Sequence, residues 1–420
     1  KPTLESAKPF LVRKGFLLSE EVTTLGMLVC GFNPEDRLNF RAQVHGYVQT
    51  GRSNEADRAQ VARDRKIIAG NILPLMEGGI NYIYQNIQVG IRSEGGGKSD
   101  PEYPEELIRE TVNNALAHRD YSIDRYVCIT IIPGVSIEVR NPGSFTSYQL
   151  IEAIDDEIPI RRIIPDPKPR NPKLAQVLMV YSKWEGRGIG MATLTNLCLN
   201  NKIDLPYYRF YTESDIGLFL CSGKLLDDGM VYLFRSFDAY MHQKLGHEPS
   251  LPQSLVLAYL IKSELANVQY RYTITLTPDN NHFDSIRALE QAGLIQAHGS
   301  SKPLHPIYVA DRILMQHDYR AELELLFGVA YDSLDEFSQQ ILGTVYRYNK
   351  FSKARVASAK SVSFNLYFSP SRKGEDVKEF DLFYRRVRYF FNKLQKAEFL
   401  VKQDKRGYLL NETFRETHLC

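Results

Sequence analysis

The sequence predicts an α+β protein of two to four domains, and three observations support this prediction. Short apolar runs bounded by Gly and Pro, such as Val127–Ile132, are typical of strands. Longer segments with an apolar residue every three or four positions, such as Phe380–Lys396, are typical of amphipathic helices. The 420 residues are 43% hydrophobic and 24% charged, which is the composition of ordinary globular domains.

Charge and cysteine usage exclude several classes of protein. The formal net charge is +2, so any surface that binds nucleic acid must be local. The five cysteines never form a CxxC pair, which argues against a zinc site or a disulfide framework and favours a reducing compartment. No apolar run is long enough to span a membrane, and no signal peptide is apparent. We therefore expect a cytoplasmic protein with no membrane partner.

Residues 1–100 are expected to form a small α/β segment that connects to the next domain. Thr23–Phe32 is an apolar run bounded by Gly and predicts a buried strand, and Ala42–Val48 predicts another. Ala56–Ile83 has a long helical pattern, which predicts a helix that packs under the following domain.

The stretch Pro104–Tyr121 predicts a helix that carries chemistry, with Pro104 near its first position. Glu110 and Asn114 lie four residues apart, so their side chains leave the same helix face as neighbours. The carboxylate can take a proton from water, and the carboxamide can hold a Mg²⁺ that bridges phosphate oxygens. The alternative is a solvated Glu beside a helix-interior Asn, and the spacing alone leaves both interpretations open.

Further motifs follow in chain order. Val127–Ile132 and Val135–Val139 predict a β-hairpin that ends in the sequence Arg-Asn-Pro-Gly at 140–143. Glu185–Gly190 is a Gly-rich turn that leads into an apolar helix, and such a turn lets backbone N–H groups approach a phosphate. Tyr207–Thr212 and Ile216–Cys221 predict a closing hairpin.

The order of these motifs, with Arg-Asn-Pro at 170–172 between them, resembles that of the GHKL (Bergerat-type) ATP-binding proteins. It is more similar to their divergent RecG-like C-terminal branch, which accompanies Schlafen AlbA-type domains. The resemblance extends from about Leu17 to about Ser222. It implies a Bergerat-like α/β sandwich over 101–233, with ATP and Mg²⁺ as cofactors. It also implies an AlbA-type domain upstream of Lys1.

The resemblance implies a role for each motif residue. Glu110 would activate water, and Asn114 would be the ligand of Mg²⁺. Asn141 stands near the position where the wider superfamily has the Asp that reads the adenine amino group, and its side-chain carbonyl could accept from the same amine. The nucleotide-binding set is completed by His118, Gly143, Arg170 and the lid glycines Gly186, Gly188 and Gly190.

Two other motifs fail on their spacing. Gly95–Ser99 looks like a P-loop, but Arg92 stands where the first Gly of that motif is needed. The sequence His-Arg-Asp at 118–120 looks like a kinase catalytic loop, but Arg125 stands where its Asn is required. We expect instead that His118 and Asp120 close the helix and hold the following loop by hydrogen bonds.

A long polar loop is predicted over Ser144–Glu185, with five prolines between 159 and 172. Long loops inside compact domains are often lids, and Arg is a good bidentate partner for phosphate. The alternative is a solvated loop. The cations that the loop would bring to ATP are Arg161, Arg162, Lys168 and Arg170.

Helices followed by a small hairpin predict two winged helix-turn-helix domains, over 234–318 and 319–420. The elements predicted for the first are the helices Leu251–Ile261 and Asn281–Ala292 and the strands Leu294–Ala297 and Pro306–Ala310. Those predicted for the second are the helices Leu334–Tyr348, Lys353–Lys360 and Phe380–Lys396 and the strands Phe399–Gln403 and Tyr408–Asn411.

The second of these domains is basic. Residues 351–410 contain 14 Lys and Arg against six Asp and Glu, a net charge of +8, which leaves −6 for the rest of the chain. A cationic outward face on the long helix matches a reader of duplex DNA, although winged helices also dock proteins. The predicted DNA-binding residues are Arg385, Arg388, Lys393, Lys396, Lys405 and Arg406.

These features predict an ATP-binding, nucleotide-responsive DNA-binding regulator, or a component of a defence system, that forms a homodimer or a larger homo-oligomer. Two alternatives stay open. One is a slow Mg²⁺-dependent ATPase that drives an upstream Schlafen-type module, and the other is a non-enzymatic oligomeric scaffold with a degenerate pocket. Slow turnover of ATP would favour the ATPase, whereas binding without turnover would favour the regulator.

Overall fold

A computed structural model describes residues 3–49, 65–87, 102–165, 168–181, 191–276, 282–367, 377–403 and 407–418. The chain divides into two compact units. The first unit contains 1–224, 266–280 and 299–307, and the second contains 225–265, 281–298 and 308–420. The predicted boundaries at 100, 233 and 318 stay predictions.

The first unit is built on a large mixed sheet. The strands of the first unit are β1 (Leu17–Leu18), β2 (Glu21–Val22), β3 (Val44–Val48), β4 (Lys66–Ile68), β5 (Val127–Ile132), β6 (Ser136–Pro142), β7 (Leu150–Ala153), β8 (Ile160–Ile163), β9 (Tyr207–Thr212), β10 (Asp215–Cys221) and β11 (Arg271–Ile274). Within the described residues, nine of these form one sheet in the order β4-β3-β5-β6-β10-β9-β11-β8-β7. The pairs β3/β5 and β8/β11 are parallel, and the other neighbouring pairs are antiparallel.

Helices pack on the sheet through its apolar side chains, because the strands alternate between apolar and polar residues. The helices of the first unit are α1 (Leu4–Lys14), α2 (Thr24–Cys30), α3 (Ile72–Asn86), α4 (Glu105–His118), α5 (Pro172–Tyr181) and α6 (Met191–Asn200). Ile137 and Val139 of β6 are buried in the core, whereas Glu138 and Arg140 between them are half-buried on the opposite face. Helix α3 packs on β3, β4 and β5, and α4 packs on β6. The fold is therefore α+β, and both predicted hairpins, β5–β6 and β9–β10, are confirmed.

The prediction of a strand at Thr23–Phe32 is wrong, because Thr24–Cys30 is helix α2. The hydroxyl of Thr23 accepts a hydrogen bond from the backbone N–H of Gly26 at 3.0 Å, which caps the first turn. A short apolar run has no periodicity that separates a buried strand from a buried helix, so the sequence could not decide between them.

The long helix predicted over Ala56–Ile83 is also wrong in its N-terminal part. Lys66–Ile68 is strand β4, which pairs with β3, and the helix begins only at Ile72. Gly70 separates the two with a φ of +122°, a conformation that favours glycine. Residues 51–64 lie outside the described part of the chain.

The region Ser144–Glu185 is not a single loop, which corrects that prediction. It contains β7 and β8, which extend the sheet, and helix α5. Strands of four residues give too short a period-2 signal to be recognised, and Pro172 stands at the first position of α5, where a missing N–H does no harm. Residues 182–190 lie outside the described residues.

The second unit is mainly helical. Its helices are α7 (Asp228–Ser236), α8 (Asp238–Leu245), α9 (Leu251–Leu265), α10 (Phe283–Gln291), α11 (Arg312–Met315), α12 (Arg320–Phe327), α13 (Val329–Asp332), α14 (Glu336–Phe351), α15 (Ala359–Tyr367), α16 (Val377–Lys396) and α17 (Phe414–His418). Its strands form two hairpins, β12 (Ile295–Ala297) with β13 (Tyr308–Ala310), and β14 (Leu400–Gln403) with β15 (Gly407–Leu410).

The helix predicted over Lys353–Lys360 is wrong in register, because α15 begins at Ala359. The hydroxyl of Ser358 accepts from the backbone N–H of Ser361 at 3.0 Å and caps the helix there. Ala357, just before this cap, forms a two-way backbone bridge with Tyr408 of β15. None of the helices in the described ranges is both long and apolar enough to span a bilayer.

Candidate functional site

A cavity of about 270 Å³ lies in the first unit, between helix α4 and the adjoining strands. This volume is near the lower end of the roughly 300–1,000 Å³ found for small-molecule sites. Its lining comes from α4, from the strands β6, β9 and β10, from the segment after β6, from the residues just before α5, and from the first residue of α6. The regions that the sequence selected separately therefore meet at one site.

Helix α4 forms one wall of the cavity. Thr111, Asn114, Ala115 and His118 line it, and their spacing of three and four residues places them on one helix face. The hydroxyl of Thr111 donates to the carbonyl of Leu107 at 2.8 Å. The other polar residues of this helix that line the cavity are Asn114 and His118.

The sheet forms the second wall. Val139 and Asn141 of β6, Ile216 and Leu218 of β10, and Tyr208 of β9 line the cavity. They lie at alternate positions along their strands, so they share the sheet face that meets α4. Asn141 occupies the next position of β6 on this face after Val139. It is therefore a polar residue in a sheet wall that is otherwise apolar or aromatic.

The Arg-Asn-Pro motif at 170–172 closes the C-terminal end of α4. Asn171 Nδ2 donates to the carbonyls of Ala117 at 3.0 Å and Arg119 at 2.8 Å. The backbone N–H of Asn171 also donates to the carbonyl of Ala117. The last carbonyls of a helix lack partners within the helix, so Asn171 supplies what the end of α4 needs.

Arg170 ties three segments together at the edge of the cavity. Its Nη1 donates to Asp120 Oδ2 at 2.9 Å, and its Nη2 donates to the carbonyl of Ser144 at 3.0 Å. The backbone N–H of Asp120 donates to the carbonyl of Pro142, and Gly143 follows with a φ of +132°. Asp120 therefore holds the loop after α4, and Gly143 permits the turn away from β6.

Arg119, between the two motif residues, is a packing residue. Its side chain is fully buried, and its Nη2 donates to the carbonyls of Arg41, at 2.6 Å, and of Arg125. The guanidinium also lies over the rings of Phe40 and Tyr121, with 5.6 and 4.9 Å to the ring centroids. The side chain of Arg119 therefore packs the junction of these segments.

The segment that follows Gly143 forms the third wall, and sequence reasoning missed it. Gln149 is buried, and its Oε1 accepts from the backbone N–H and the hydroxyl of Thr146, each at 3.2 Å. Phe145 packs edge-on against Tyr208, with 4.9 Å between the ring centroids. Tyr208 could have been found from the alternation in β9, but no sequence signal singles out Thr146 or Gln149.

Two polar atoms of the cavity wall are left without hydrogen bonds. Asn141 Oδ1 and Asn114 Nδ2 are buried and have no partner among the described residues. A buried polar atom without a partner costs about 1–3 kcal/mol, so such atoms are rare in native proteins. Both belong to residues that line the cavity, so a ligand that slightly displaced these side chains would supply the missing partners.

Glu110 lies one turn before Asn114 and is 2% exposed. Burial raises the pKa of its carboxyl to about 8, and the amide of Asn114 opposes this rise, although the geometry leaves Asn114 Nδ2 without a hydrogen bond. Among the described residues, the lining of the cavity includes Asn114 but not Glu110. Burial thus favours the neutral form of Glu110, and its side chain does not line the cavity.

The four cations of the predicted loop have different positions. Lys168 and Arg170 line the cavity. Arg161 and Arg162 instead belong to strand β8, which corrects their placement in a lid. Arg161 pairs with Glu152 at 2.8 Å, and Arg162 is buried.

The three predicted lid glycines, Gly186, Gly188 and Gly190, lie outside the described residues. Met191, the next residue of the chain, begins α6 and lines the cavity. The Gly-rich sequence is therefore joined directly to the site.

The basic helix α16 of the second unit carries most of the predicted DNA-binding residues. Phe383, Val387, Phe391 and Leu394 form its buried stripe. The remaining residues of interest are exposed, namely Arg385, Arg388, Tyr389, Lys393 and Lys396.

These exposed cations are not equally available. Lys393 Nζ lies 3.3 Å from Asp335 Oδ2, in an exposed ion pair. Tyr389 is 66% exposed on the same helix, which is unusual for a large side chain. Lys405 and Arg406 lie outside the described residues.

Comparison with known proteins adds little to this description of the cavity and the basic helix. No protein-family model matches the chain, and no curated protein matches it. The solved structure of the DIP2311 protein from Corynebacterium diphtheriae aligns with 96% of this chain at 15% identity and a TM-score of 0.42. The chain covers 64% of that protein's length, and a likeness this weak supports no conclusion about fold or function.

Proposed function

We propose that the first unit binds ATP with Mg²⁺, that the second unit binds duplex DNA, and that the chain is a nucleotide-responsive regulator or defence component in the cytoplasm. The observation that carries the nucleotide half is the pair of unsatisfied amide atoms in the cavity, on Asn141 and Asn114. The family resemblance selected both residues from the sequence alone, and the cavity brings them together.

Asn141 is suited to read the base. Its Oδ1 is an acceptor without a donor, and the exocyclic amine of adenine is a donor. Guanine carries a carbonyl oxygen at the corresponding ring position, so it would leave this acceptor unpaired. Apolar neighbours such as Val139, Ile216 and Leu218 suit the faces of a flat ring. The pocket therefore favours adenine over guanine.

Asn114 is suited to hold Mg²⁺. The described residues contain no cluster of three or more His, Cys, Asp and Glu, but Mg²⁺ needs none, because it is commonly held by one or two protein oxygens together with substrate phosphates and water. Rotation of the Asn114 amide by half a turn would put its oxygen, a possible ligand of Mg²⁺, in place of the unpaired nitrogen. When bound, the ion would neutralise charge on the phosphates, and Lys168 and Arg170 stand at the same cavity to add to this attraction.

The state of Glu110 favours a nucleotide switch over an ATPase. A general base must be ionised and within hydrogen-bond reach of the attacking water. Glu110 is buried and does not line the cavity, and burial raises its pKa to about 8, which disfavours the ionised form that a base needs. ATPase activity is the second candidate function, since nearby Mg²⁺ would lower this pKa. In that case Glu110→Gln should reduce hydrolysis by about a hundredfold or more while leaving binding nearly intact.

The DNA half rests on the second unit. Helices α14, α15 and α16 followed by the hairpin β14–β15, with the Ala357–Tyr408 bridge before α15, have the element order of a winged helix. In that order α16 is the recognition helix, and Arg385, Arg388 and Lys396 project from it into solvent. Such cations contact phosphates and base edges of duplex DNA.

Calorimetric titration of the full chain with ATP, with and without Mg²⁺, tests this proposal. We expect saturable binding that requires Mg²⁺ and is weaker for GTP. A parallel assay of phosphate release separates the candidates, since binding without turnover is expected for the regulator and slow turnover for the ATPase. No binding and no turnover would overturn both and leave the scaffold alternative.

A further inference from the structure

A distant loop of the chain supports the third wall of the cavity. The loop 299–307 belongs to the first unit, although the strands that it joins, β12 and β13, belong to the second. Lys302 Nζ donates to the backbone carbonyl of Tyr148, and the same ammonium lies 4.3 Å from the centroid of the Tyr148 ring. Tyr148 directly precedes Gln149, which lines the cavity.

Two further contacts fix the loop on this wall. The ring of His305 meets the ring of Tyr148 edge-on, with 6.3 Å between centroids. The hydroxyl of Ser300 donates to Asp156 Oδ2 at 2.9 Å. Lys302 and His305 of the loop therefore both contact Tyr148, and the hydrogen bond of Ser300 joins the loop to the turn between β7 and β8.

The segment that carries Tyr148 is held from both sides. Tyr148 is 52% exposed, and the segment Ser144–Gln149 forms no strand. Toward the cavity, the segment is fixed by the hydrogen bonds of Thr146 to Gln149 and by Arg170 on the carbonyl of Ser144. A ligand in the cavity and the loop 299–307 thus act on opposite sides of one thin segment.

We propose that the loop 299–307 is a positioning element of the nucleotide site, with Lys302 as its positioning residue, and that ligand and loop stabilise each other through Ser144–Gln149. This inference rests on the proposed nucleotide binding. Linkage requires the effect to be reciprocal, so a nucleotide that orders the segment must also tighten the hold on the loop. Since the loop joins β12 to β13, a change in the loop on ligand binding would be transmitted along the chain to these two strands of the second unit.

The test uses the full chain with ATP and Mg²⁺ as the probe. Lys302→Ala should weaken ATP binding about five- to tenfold, the lower part of the range usual for coupled sites. Lys302→Arg keeps the charge and its donors and should bind within about twofold of the wild type. Lys66→Ala removes an exposed Lys from β4, the strand at the far edge of the sheet, and serves as the matched control that should leave the affinity unchanged.

Hydrogen exchange of the loop gives a readout that a merely structural residue would not move. Saturating ATP should slow exchange of the amides in 299–307 in the wild type and should not do so in Lys302→Ala. Wild-type affinity in Lys302→Ala, failure of Lys302→Arg to restore it, or loop exchange unchanged by ATP would each overturn the inference while wild-type binding keeps the proposed function. No ATP binding by the wild type would instead overturn the proposed function and this coupling together.

Discussion

The two units of this protein present polar groups in opposite ways. The first buries amide atoms of Asn114 and Asn141 in a cavity wall without partners. The second displays cations on a helix surface, where water already satisfies Arg385 and Arg388. Burial without a partner carries a standing free-energy cost, which a ligand bound in the cavity would relieve, whereas exposed cations carry almost none and indicate at most a polyanion. The cavity is accordingly the better-determined of the two proposed sites.

The largest effect is expected at the cavity. Asn114→Ala should abolish Mg²⁺-dependent binding of ATP, a loss of about a hundredfold or more, because it removes the proposed ligand of the ion. Calorimetry with ATP and Mg²⁺ measures it. Asn113→Ala is the matched control, since Asn113 is also a buried Asn of α4 but does not line the cavity. Equal affinities in the two variants would remove Asn114 from the site.

The corresponding change in the second unit should affect DNA binding and spare ATP binding. Replacing Arg385, Arg388, Lys393 and Lys396 by Ala should weaken binding to duplex DNA more than tenfold. Each lost phosphate contact reduces the salt slope by about 0.9, and because Lys393 is already paired with Asp335, we expect a total change of about 3.

Affinity measured at several salt concentrations tests this expectation. The control removes the same charge from exposed positions on other helices of the second unit: Arg235, Lys244, Arg287 and Lys350. If both quadruple variants lose the same slope, binding follows net charge and α16 is not a specific DNA surface.

A smaller effect is expected where the cavity reads the base. Asn141→Ala removes the unpaired acceptor and should weaken ATP binding about tenfold, the worth of one buried hydrogen bond. The affinity for GTP should change little, so the preference for ATP should disappear. Competition between the two nucleotides measures this directly. An unchanged preference would assign base selection to another residue.

The last effect concerns the carboxyl of Glu110 and depends on pH. Its pKa is raised to about 8 in the folded state, so between its unfolded pKa and pH 8 the folded chain keeps a proton that the unfolded chain releases. The contribution of this carboxyl to the stability of the wild type must therefore fall as the pH rises through this window. Glu110→Gln stays neutral, so its stability relative to the wild type should grow by about 1 kcal/mol per pH unit from pH 6 to 8.

Denaturant unfolding at pH 6, 7 and 8 measures this difference. Glu106→Gln, in the exposed first turn of the same helix, is the control and should show no such trend. A constant difference for Glu110→Gln would mean that Glu110 is ionised in the folded protein, which would restore it as a candidate base.

The sequence was most informative where period and spacing are local. The pattern of α4 and the alternation in β5, β6, β9 and β10 were enough to predict those elements. Asn114 was selected by its spacing from Glu110, whereas His118 and Asn141 were selected only by the resemblance. The resemblance to the GHKL proteins added the order of the motifs, from which their convergence was expected.

The failures have physical causes as well. Thr23–Phe32 is short and apolar throughout, so its periodicity fits a strand and a helix equally. Strands β7 and β8 are too short to show their alternation. Gln149 and Lys302 lie far apart in the sequence and are related only through Tyr148, a relation that tertiary packing creates and that no local pattern encodes.

The two proposed sites belong to one mechanism if nucleotide and DNA bind cooperatively. The measurement is the dissociation constant of ATP, with Mg²⁺ at fixed salt, in the absence and presence of saturating duplex DNA. We expect DNA to tighten ATP binding about 5- to 150-fold, the usual range for coupled sites, and ATP to tighten DNA binding by the same factor. Equal dissociation constants with and without DNA would contradict it and would show that the two units share a chain without sharing a function.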